Sequence, residues 1–533
     1  MKRNCSLFNQ QVRVEDLIKK ILLAGLLFAS ATSGSPAQLN LIPLPAKVEQ
    51  GGGQFALDEK TAVVADDLFT NEAALIVAEW HLGSRNDEVQ NRILLTTNDA
   101  AGLDGDAYRM EVNEQGVTIH ALSSAGAFYG CQTLRQLAGP GAPEIPFVKI
   151  EDAPRYAWRG LMLDVSRHFF DKPAILQLLD WMAEYKLNRL HLHLTDDPGW
   201  RLEMQKYPEL TRTGARGNYS DTNAPAQFFT RAEMREIIEY AARRHIVVVP
   251  EIDMPGHAGA AIRTYPRLDG GAHTFNPARP ETYEFLESAL RDVMELFPSP
   301  WIHLGGDEVN RSAWDKNVEV RKKIRAEGLS GSQALENEFV DRMVRFIQQQ
   351  GRIPLGWDEI VAAKPSPGTV IFWWRHDKPE MLVQALAEGY PVVLTPRSPC
   401  YFDYPQDKSY PQIGWKLINT PEAVYRGPAV PAGIPPAQLA QILGVEGCLW
   451  TEHIDALPYL EFMAMPRMAA LAEMAWTPDQ HRDFVDFKVR LKPHLDEYQQ
   501  QGIHFYDETN AEGSLREARQ SPASAPKLSL SEH

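Results

Sequence analysis

From Pro154 onward the chain settles into a repeat that leaves few folds open: short apolar runs, each followed by a longer stretch of helical periodicity. Runs so short and so uniformly apolar suit strands buried on both faces, and a helix between successive strands gives parallel βα units. Eight runs follow this pattern: Gly160 to Leu163, Arg189 to Leu194, Ile246 to Pro250, Trp301 to Leu304, Ile353 to Leu355, Thr369 to Trp373, Pro391 to Leu394 and Leu443 to Leu449. Eight strands alternating with helices predict an α/β protein of the (β/α)8 TIM-barrel type. Helix start signals agree. Thr230 with Glu233 makes a capping-box pattern ahead of Met234, Ile237 and Ala241, and Asp171 stands where an N-cap is needed for the stretch bearing Ile175, Leu178 and Met182. Leu335, Phe339, Met343 and Ile347 share one face of a third helix.

The barrel is expected to occupy residues 153–509, and 533 residues leave room for more than a barrel. Residues 38–152 mix β-like runs (Thr61 to Ala65, Arg92 to Thr96, Tyr108 to Val112, Val117 to Ala121) with helical stretches. The turn Asn113-Glu114-Gln115-Gly116 joins the last two as a hairpin. This reads as a small α+β domain that packs or positions the barrel. Residues 1–37 carry Lys19-Lys20, the apolar run Ile21 to Ala29 and the small residues Ala29-Ser30-Ala31, the pattern of a secretory signal peptide. The run is far below the roughly 20 residues a membrane-spanning helix needs. Export to the periplasm or the medium is therefore expected, with Met1 to Glu15 an unusually long lead-in. Residues 510–533, rich in Ser, Ala and Pro, lack apolar periodicity and are expected to be a disordered tail.

A net charge of -16 without any long Lys/Arg run argues against nucleic acid or an anionic membrane as partner. Cys131, Cys400 and Cys448 are too widely spaced for a CxxC metal or redox motif and are expected as buried thiols, with a Cys400 to Cys448 bridge the one conceivable pairing. No metal, no cofactor and no particular oligomeric state is indicated.

In a (β/α)8 barrel the chemistry gathers at the C-terminal ends of the strands. Here those ends carry Asp164 with Arg167, Asp196 with Asp197, Glu251 with Asp253 and His257, Asp307 with Glu308, Trp357 with Asp358 and Glu359, Trp374 with Arg375, Tyr401 with Asp403, and Trp450 with Glu452. Packing alone needs no such set. Carboxylates and an arginine take up sugar hydroxyls, while indole faces cover the apolar face of a pyranose. The sharpest local signal is His303-Leu304-Gly305-Gly306-Asp307-Glu308 after the apolar Trp301-Ile302. Two glycines let the backbone turn tightly, so that both acids reach the barrel mouth. Mutual repulsion and a dry aromatic surround would both raise a carboxyl pKa and keep one acid protonated.

With these motifs in place, the chain resembles glycoside hydrolase family twenty, the β-N-acetylhexosaminidases, from about Trp158 to Trp476, and residues 38–152 resemble that family's N-terminal domain. The resemblance implies an exo-acting, retaining enzyme that removes terminal non-reducing N-acetylglucosamine or N-acetylgalactosamine from glycans or chitooligosaccharides, as in chitin degradation. Substrate-assisted catalysis would pass through an oxazolinium ion. It implies acid/base work for Glu308, orientation of the acetamide by Asp307, and a connection of Asp196 and His257 to Glu308. Arg167, Asp403 and Glu452 would bind hydroxyls. Trp357, Trp374 and Trp450 would box the N-acetyl methyl group, with Tyr401 bonding the acetamide oxygen.

Three other readings are open to the same residues. A metallohydrolase could use His191 and His193, which alternate on one strand, but the later strands offer Trp357, Trp374 and Trp450 where further ligands would be required. A non-catalytic chitin-binding protein would have no use for the pair Asp307-Glu308. A two-carboxylate retaining glycosidase would need Asp403 or Glu452 as nucleophile about 5 Å from the acid.

Overall fold

The computed structural model describes residues 38–58, 61–84, 91–139, 144–408 and 416–521. The proposed signal segment and the end of the tail lie outside the described residues.

Eight parallel strands close into a barrel in chain order, the first pairing with both the second and the eighth. They are Trp158–Asp164, Arg189–His193, Val247–Glu251, Trp301–His303, Ile353–Trp357, Val370–Trp373, Val392–Leu394 and Ile442–Leu449. Leu161 stands opposite Leu190 of the second strand, and Leu449 of the eighth opposite Leu163, which closes the ring. All seven residues of the first strand are buried, as expected of a strand covered by barrel interior on one face and helices on the other. The expected helix starts form as written. Asp171 accepts from the Ala174 amide ahead of Lys172–Glu184, and Thr230 with Glu233 makes a reciprocal capping box ahead of Arg231–Ala242. Between the fifth and sixth strands the expected long helix is replaced by one short 3-10 stretch, Asp358–Ala363. The prolines at 365 and 367 leave no length of chain there for a regular helix.

The small domain is a seven-stranded mixed sheet in the order Lys47–Ala56, Glu144–Asp152, Tyr108–Asn113, Gly116–Ala121, Arg92–Thr96, Ala62–Ala65, Gly83–Ser84. The expected hairpin is present, with Asn113 opposite Gly116. Three strands escaped the sequence reading, among them the two-residue Gly83–Ser84. Lys47–Ala56 is a largely exposed edge strand interrupted by three glycines, and Glu144–Asp152 contains Pro146, so neither carries the usual β pattern. The helix Ser124–Ala138 faces the barrel, with Tyr129 edge-on to Trp476 at 5.1 Å.

The tail requires a correction. Residues 510–533 were expected to be disordered, yet Ala511–Gln520 is a helix. Leu515 and Ala518, three residues apart, bury one narrow face, and the Arg519 guanidinium donates to the Tyr459 hydroxyl of Leu457–Ala464 at 3.0 Å. One leucine and one alanine make too weak a stripe to register as periodicity, and tertiary packing supplies the remainder.

Candidate active site

The residues at the strand ends converge on a pocket of about 140 Å³ at the C-terminal mouth of the barrel, lined by Arg167, His257, Asp307, Glu308, Trp374, Arg397, Tyr401, Asp403, Tyr404, Trp450 and Glu452. After the first strand, fully buried Asp164 accepts from the backbone amides of Ser166 (2.8 Å), Arg167 (3.1 Å) and Thr451 (3.1 Å). It thereby ties the first strand end to the eighth and aims Arg167. The guanidinium lies 2.7 Å from Asp196 Oδ2 and 5.0 Å from the Trp450 ring centroid.

Gly305 and Gly306 have φ of 71° and 96°, as the sharp turn requires. Space forbids a side chain there as well: a Cβ on Gly305 would stand 1.8 Å from Asp253 Oδ1, and one on Gly306 2.4 Å from Ile360 Cγ2. Glu308 and His257 themselves adopt left-handed φ of 50° and 49°, a conformation costing on the order of 1 kcal/mol or more for such residues and concentrated at working sites. The turn brings His257 Nε2 to 3.5 Å from Asp307 Oδ2 and 3.7 Å from Glu308 Oε2, while His257 Nδ1 faces Asp196 Oδ1 at 3.3 Å.

Electrostatics separate these acids. Burial acts to raise Asp196, but Arg167 and His257 outweigh it and hold the carboxyl well below its ordinary value. Burial opposes the charge on His257, yet Asp196 and Asp307 push it well above the usual imidazole value. Glu308 is raised by burial and by the neighbouring Asp307, against the pull of His257 and Arg167. A uniformly dry pair was expected. The structure instead leaves the Glu308 side chain 60% exposed and Asp307 12% exposed, so only the second is enclosed before a ligand covers the mouth.

Trp374 and Tyr401 stack at 6.3 Å with an 11° interplanar angle, and Trp450 meets Tyr401 at 6.0 Å. Trp357 does not line the pocket. It is 1% exposed and stands behind Trp450 at 5.9 Å, and Asp196 likewise lies behind Arg167 and His257. Two contributors were missed in the sequence, and two rim acids take a role the sequence did not assign. Arg397 and Tyr404 line the cavity, Glu359 accepts the Trp374 indole N–H at 2.9 Å, and Glu251 accepts that of Trp357 at 3.0 Å. Glu251 and Glu359 stood among the rim acids, but nothing local says which indole each would hold. Arg397 and Tyr404 belong to no motif.

His191 and His193 lie inside the barrel, where each imidazole stands between two carboxylates: Glu446 and Glu251 for His191, Glu251 and Asp196 for His193. Groupings within metal-holding distance exist, such as His191 with Glu251 and His303, or Asp253 with His257 and Asp307. In the first, Glu251 is already paired with His193, and the second shares His257 and Asp307 with the pocket. Cys400 and Cys448 are buried free thiols, the latter 2.9 Å from Thr395 Oγ1.

Five buried polar atoms that reach this pocket have no hydrogen-bond partner among the described residues: Asp307 Oδ1, His257 Nε2, Asp403 Oδ1, Trp450 Nε1 and Glu452 Oε2. Native interiors satisfy most such groups, so an unpaired set converging on one cavity marks a polar ligand site. The family model described as Glycosyl hydrolase family 20, catalytic domain, matches residues 156–479, and that described as domain 2 of the same family matches residues 38–153. The chain belongs to glycosyl hydrolase family 20. The β-N-acetylhexosaminidase of Cellulomonas fimi is 34% identical over 87% of this chain and 95% of its own length. The β-hexosaminidase of Porphyromonas gingivalis is 31% identical over 88% of this chain, which spans 64% of that relative. Among solved structures, the exo-β-N-acetylglucosaminidase of Vibrio harveyi in complex with N-acetylglucosamine superposes with a TM-score of 0.82 at 32% identity, covering 88% of this chain and 78% of that one. This family 20 chain is accordingly a glycoside hydrolase of the β-N-acetylhexosaminidase class.

Proposed function

We propose that the pocket takes one terminal, non-reducing N-acetylglucosamine or N-acetylgalactosamine unit and that the enzyme releases it with retention through an oxazolinium ion. The observation that carries this reading is the placement of Asp307 directly beside Glu308, with His257 within 3.7 Å of both. A carboxylate adjacent to the acid is badly placed to attack the opposite face of the anomeric carbon, but well placed to accept an acetamide N–H. Glu308, raised above its ordinary value, protonates the glycosidic oxygen as the bond to the leaving group breaks. The acetamide oxygen attacks the anomeric carbon from the other face, converting nucleophilic attack into an oriented intramolecular step, and Asp307 stabilises the positive charge that develops. Water, deprotonated by Glu308, then opens the oxazolinium ion. Arg167, Asp403 and Glu452 would take the outer hydroxyls, Tyr401 the acetamide oxygen, and Trp374 and Trp450, with Trp357 behind them, would enclose the methyl group. Asp196 would hold His257. The sequence of the first 37 residues supports export to the periplasm or the medium, where chitooligosaccharides and other glycans would be met.

Paired aryl glycosides test the mechanism. Aryl N-acetyl-β-glucosaminide and N-acetyl-β-galactosaminide should be turned over, the matching β-glucoside should be nearly inert, and a stable thiazoline should bind more tightly than substrate. Comparable turnover of the β-glucoside, or a covalent ester trapped on Asp403 or Glu452, would replace this route by ordinary double displacement.

A further inference from the structure

Beneath the pocket the barrel interior contains a run of ionisable side chains that the reaction, as described, does not use. Glu446 on the eighth strand accepts the Trp158 indole N–H at 3.0 Å with Oε2 and faces His191 Nδ1 at 2.9 Å with Oε1. His191 Nε2 faces Glu251 Oε2 at 3.2 Å, and the same oxygen lies 2.6 Å from His193 Nδ1. His193 Nε2 is 2.9 Å from Asp196 Oδ2, whose other oxygen faces His257. The first five groups are no more than 2% exposed.

The geometry sets the protonation. A neutral imidazole has one N–H and one lone pair, and a lone pair turned toward a carboxylate oxygen at 2.6 to 3.2 Å is repelled. His193 has a carboxylate oxygen against each ring nitrogen, and so has His191. His193 therefore donates from both nitrogens and is an imidazolium ion, whereas His191 donates from Nδ1 to Glu446 and keeps Nε2 in ion-pair range of Glu251 without a hydrogen bond. Signs alternate along the run: Glu446 negative, His191 positive, Glu251 negative, His193 positive, Asp196 negative, and beyond it Arg167 and His257 positive. Buried charges on this scale are tolerable only when each has opposite neighbours. Burial works against protonation of both histidines, and their carboxylates overcome it, with His191 raised to about 9.

We propose that this ionic ladder is a positioning device for the reaction, with Glu251 and His193 as positioning residues that keep Asp196 ionised and turned with Oδ1 toward His257 and Oδ2 toward Arg167. The inference rests on the assignment of Asp196 and His257 to the acid/base machinery. Glu251 occupies the central rung, between two imidazolium ions, and also accepts from the Trp357 indole. His193 lies under the pocket wall, 5.0 Å from the Trp450 ring. The other charged or titratable groups around the two are His303 on the fourth strand, 3.0 Å from Glu251 Oε1, Arg167 Nη1, 3.5 Å from His193 Nε2, Asp164 at the first strand end, and Asp253 after the third strand. Loss of the Glu251 charge leaves two facing cations with one fewer anion. One of them then releases its proton at an accessible pH, and a lone pair on His193 would turn Asp196 away.

The test compares Glu251→Gln, Glu446→Gln and Asp196→Asn with the unaltered enzyme on an aryl N-acetyl-β-glucosaminide, reading kcat/KM across pH with circular dichroism as the check on folding. Glu251→Gln keeps the shape and the acceptor for Trp357 but removes the charge. Its kcat/KM should fall on the order of 10- to 100-fold, the cost of a small misplacement, and its alkaline limb should move acidward by about one unit or more. Glu446→Gln, one rung further away, should shift the limb in the same direction by less, and it carries the test alone if Glu251→Gln does not fold. A folded Glu251→Gln with the unaltered pH profile overturns the ladder, as does an unshifted Glu446→Gln where that variant stands alone. Asp196→Asn separates the two layers of the argument. If it keeps full activity, the reading of Asp196 and His257 has failed. If it is impaired while the ladder variants are not, the ladder alone has failed.

Discussion

Two buried polar clusters in this chain carry charge in comparable amounts, and they differ in how completely the charge is satisfied. At the junction of the small domain with the barrel, Asp152 Oδ1 accepts from the Trp476 indole (2.9 Å) and the Ala46 amide (3.0 Å), and Oδ2 from the Tyr108 hydroxyl (2.7 Å) and Lys186 Nζ (3.2 Å). Nearby, Arg490 donates to both oxygens of Glu473 at 2.7 and 2.6 Å. At the barrel mouth Asp307, Asp403, Glu452, Trp450 and His257 each keep a buried polar atom without a hydrogen-bond partner among the described residues. Burial of charge by itself thus says little about role. A closed account marks a structural clamp, and an open one marks a place where a ligand completes the bonding.

The largest effect that can break this distinction is on chemistry. Glu308→Gln should leave folding intact and lower kcat/KM roughly 100- to 10,000-fold for sugar leaving groups, and less for phenolic ones that hardly need protonation. Equal losses for both leaving groups would remove Glu308 from the acid role. Next comes the clamp. Asp152→Ala strands the buried Lys186 ammonium and should cost about 3–5 kcal/mol in denaturant unfolding while leaving kcat unchanged in the folded protein. A loss of kcat without a loss of stability would erase the contrast between the two clusters.

The smallest effect sharpens it most. Burial and the neighbouring Glu452 raise Asp403 well above its ordinary value. A carboxyl whose folded pKa is raised favours folding below its unfolded pKa, near 3.9, and loses that contribution as pH rises through the folded value. Asp403→Asn should therefore raise the stability of the protein at pH 7 by about 0.5–2 kcal/mol, with the gain shrinking toward zero on acidification to about pH 4, while weakening substrate binding. Thermal melts at the two pH values, with KM at neutral pH, check this. A destabilised variant at pH 7 would mean that Asp403 is held as firmly as Asp152.

The barrel strands stand within a residue or two of where their apolar runs place them, because strands buried on both faces are mostly apolar and change texture at their ends, the buried exceptions His191, His193, Glu251 and Glu446 lying against one another. The edge strand Lys47–Ala56 and the helix Ala511–Gln520 were illegible for the opposite reason: the first is exposed and broken by glycine, and the second buries only Leu515 and Ala518. At the mouth, the position of each side chain after a strand end was enough to gather nine of the eleven expected residues into the pocket lining. Trp357 and Asp196 stand one layer back, a depth that depends on what packs in front of them. Arg397 and Tyr404 arrive from a loop whose path no local pattern describes.

Strand burial, the helix caps at Asp171 and Thr230, the hairpin at Asn113 and the tight turn at Gly305-Gly306 are all under the control of contiguous residues. Each follows from the φ/ψ range or side-chain period of a few neighbouring residues. The charge states arise from the packing of residues far apart in the chain. Glu251, His193 and Asp196 come from two strand ends, and it is their separations of 2.6 and 2.9 Å in a dry barrel interior that make His193 a cation and Asp196 a firm anion. Coulomb energy and desolvation depend on distance in space and on exclusion of water, and neither is written in the spacing along the chain.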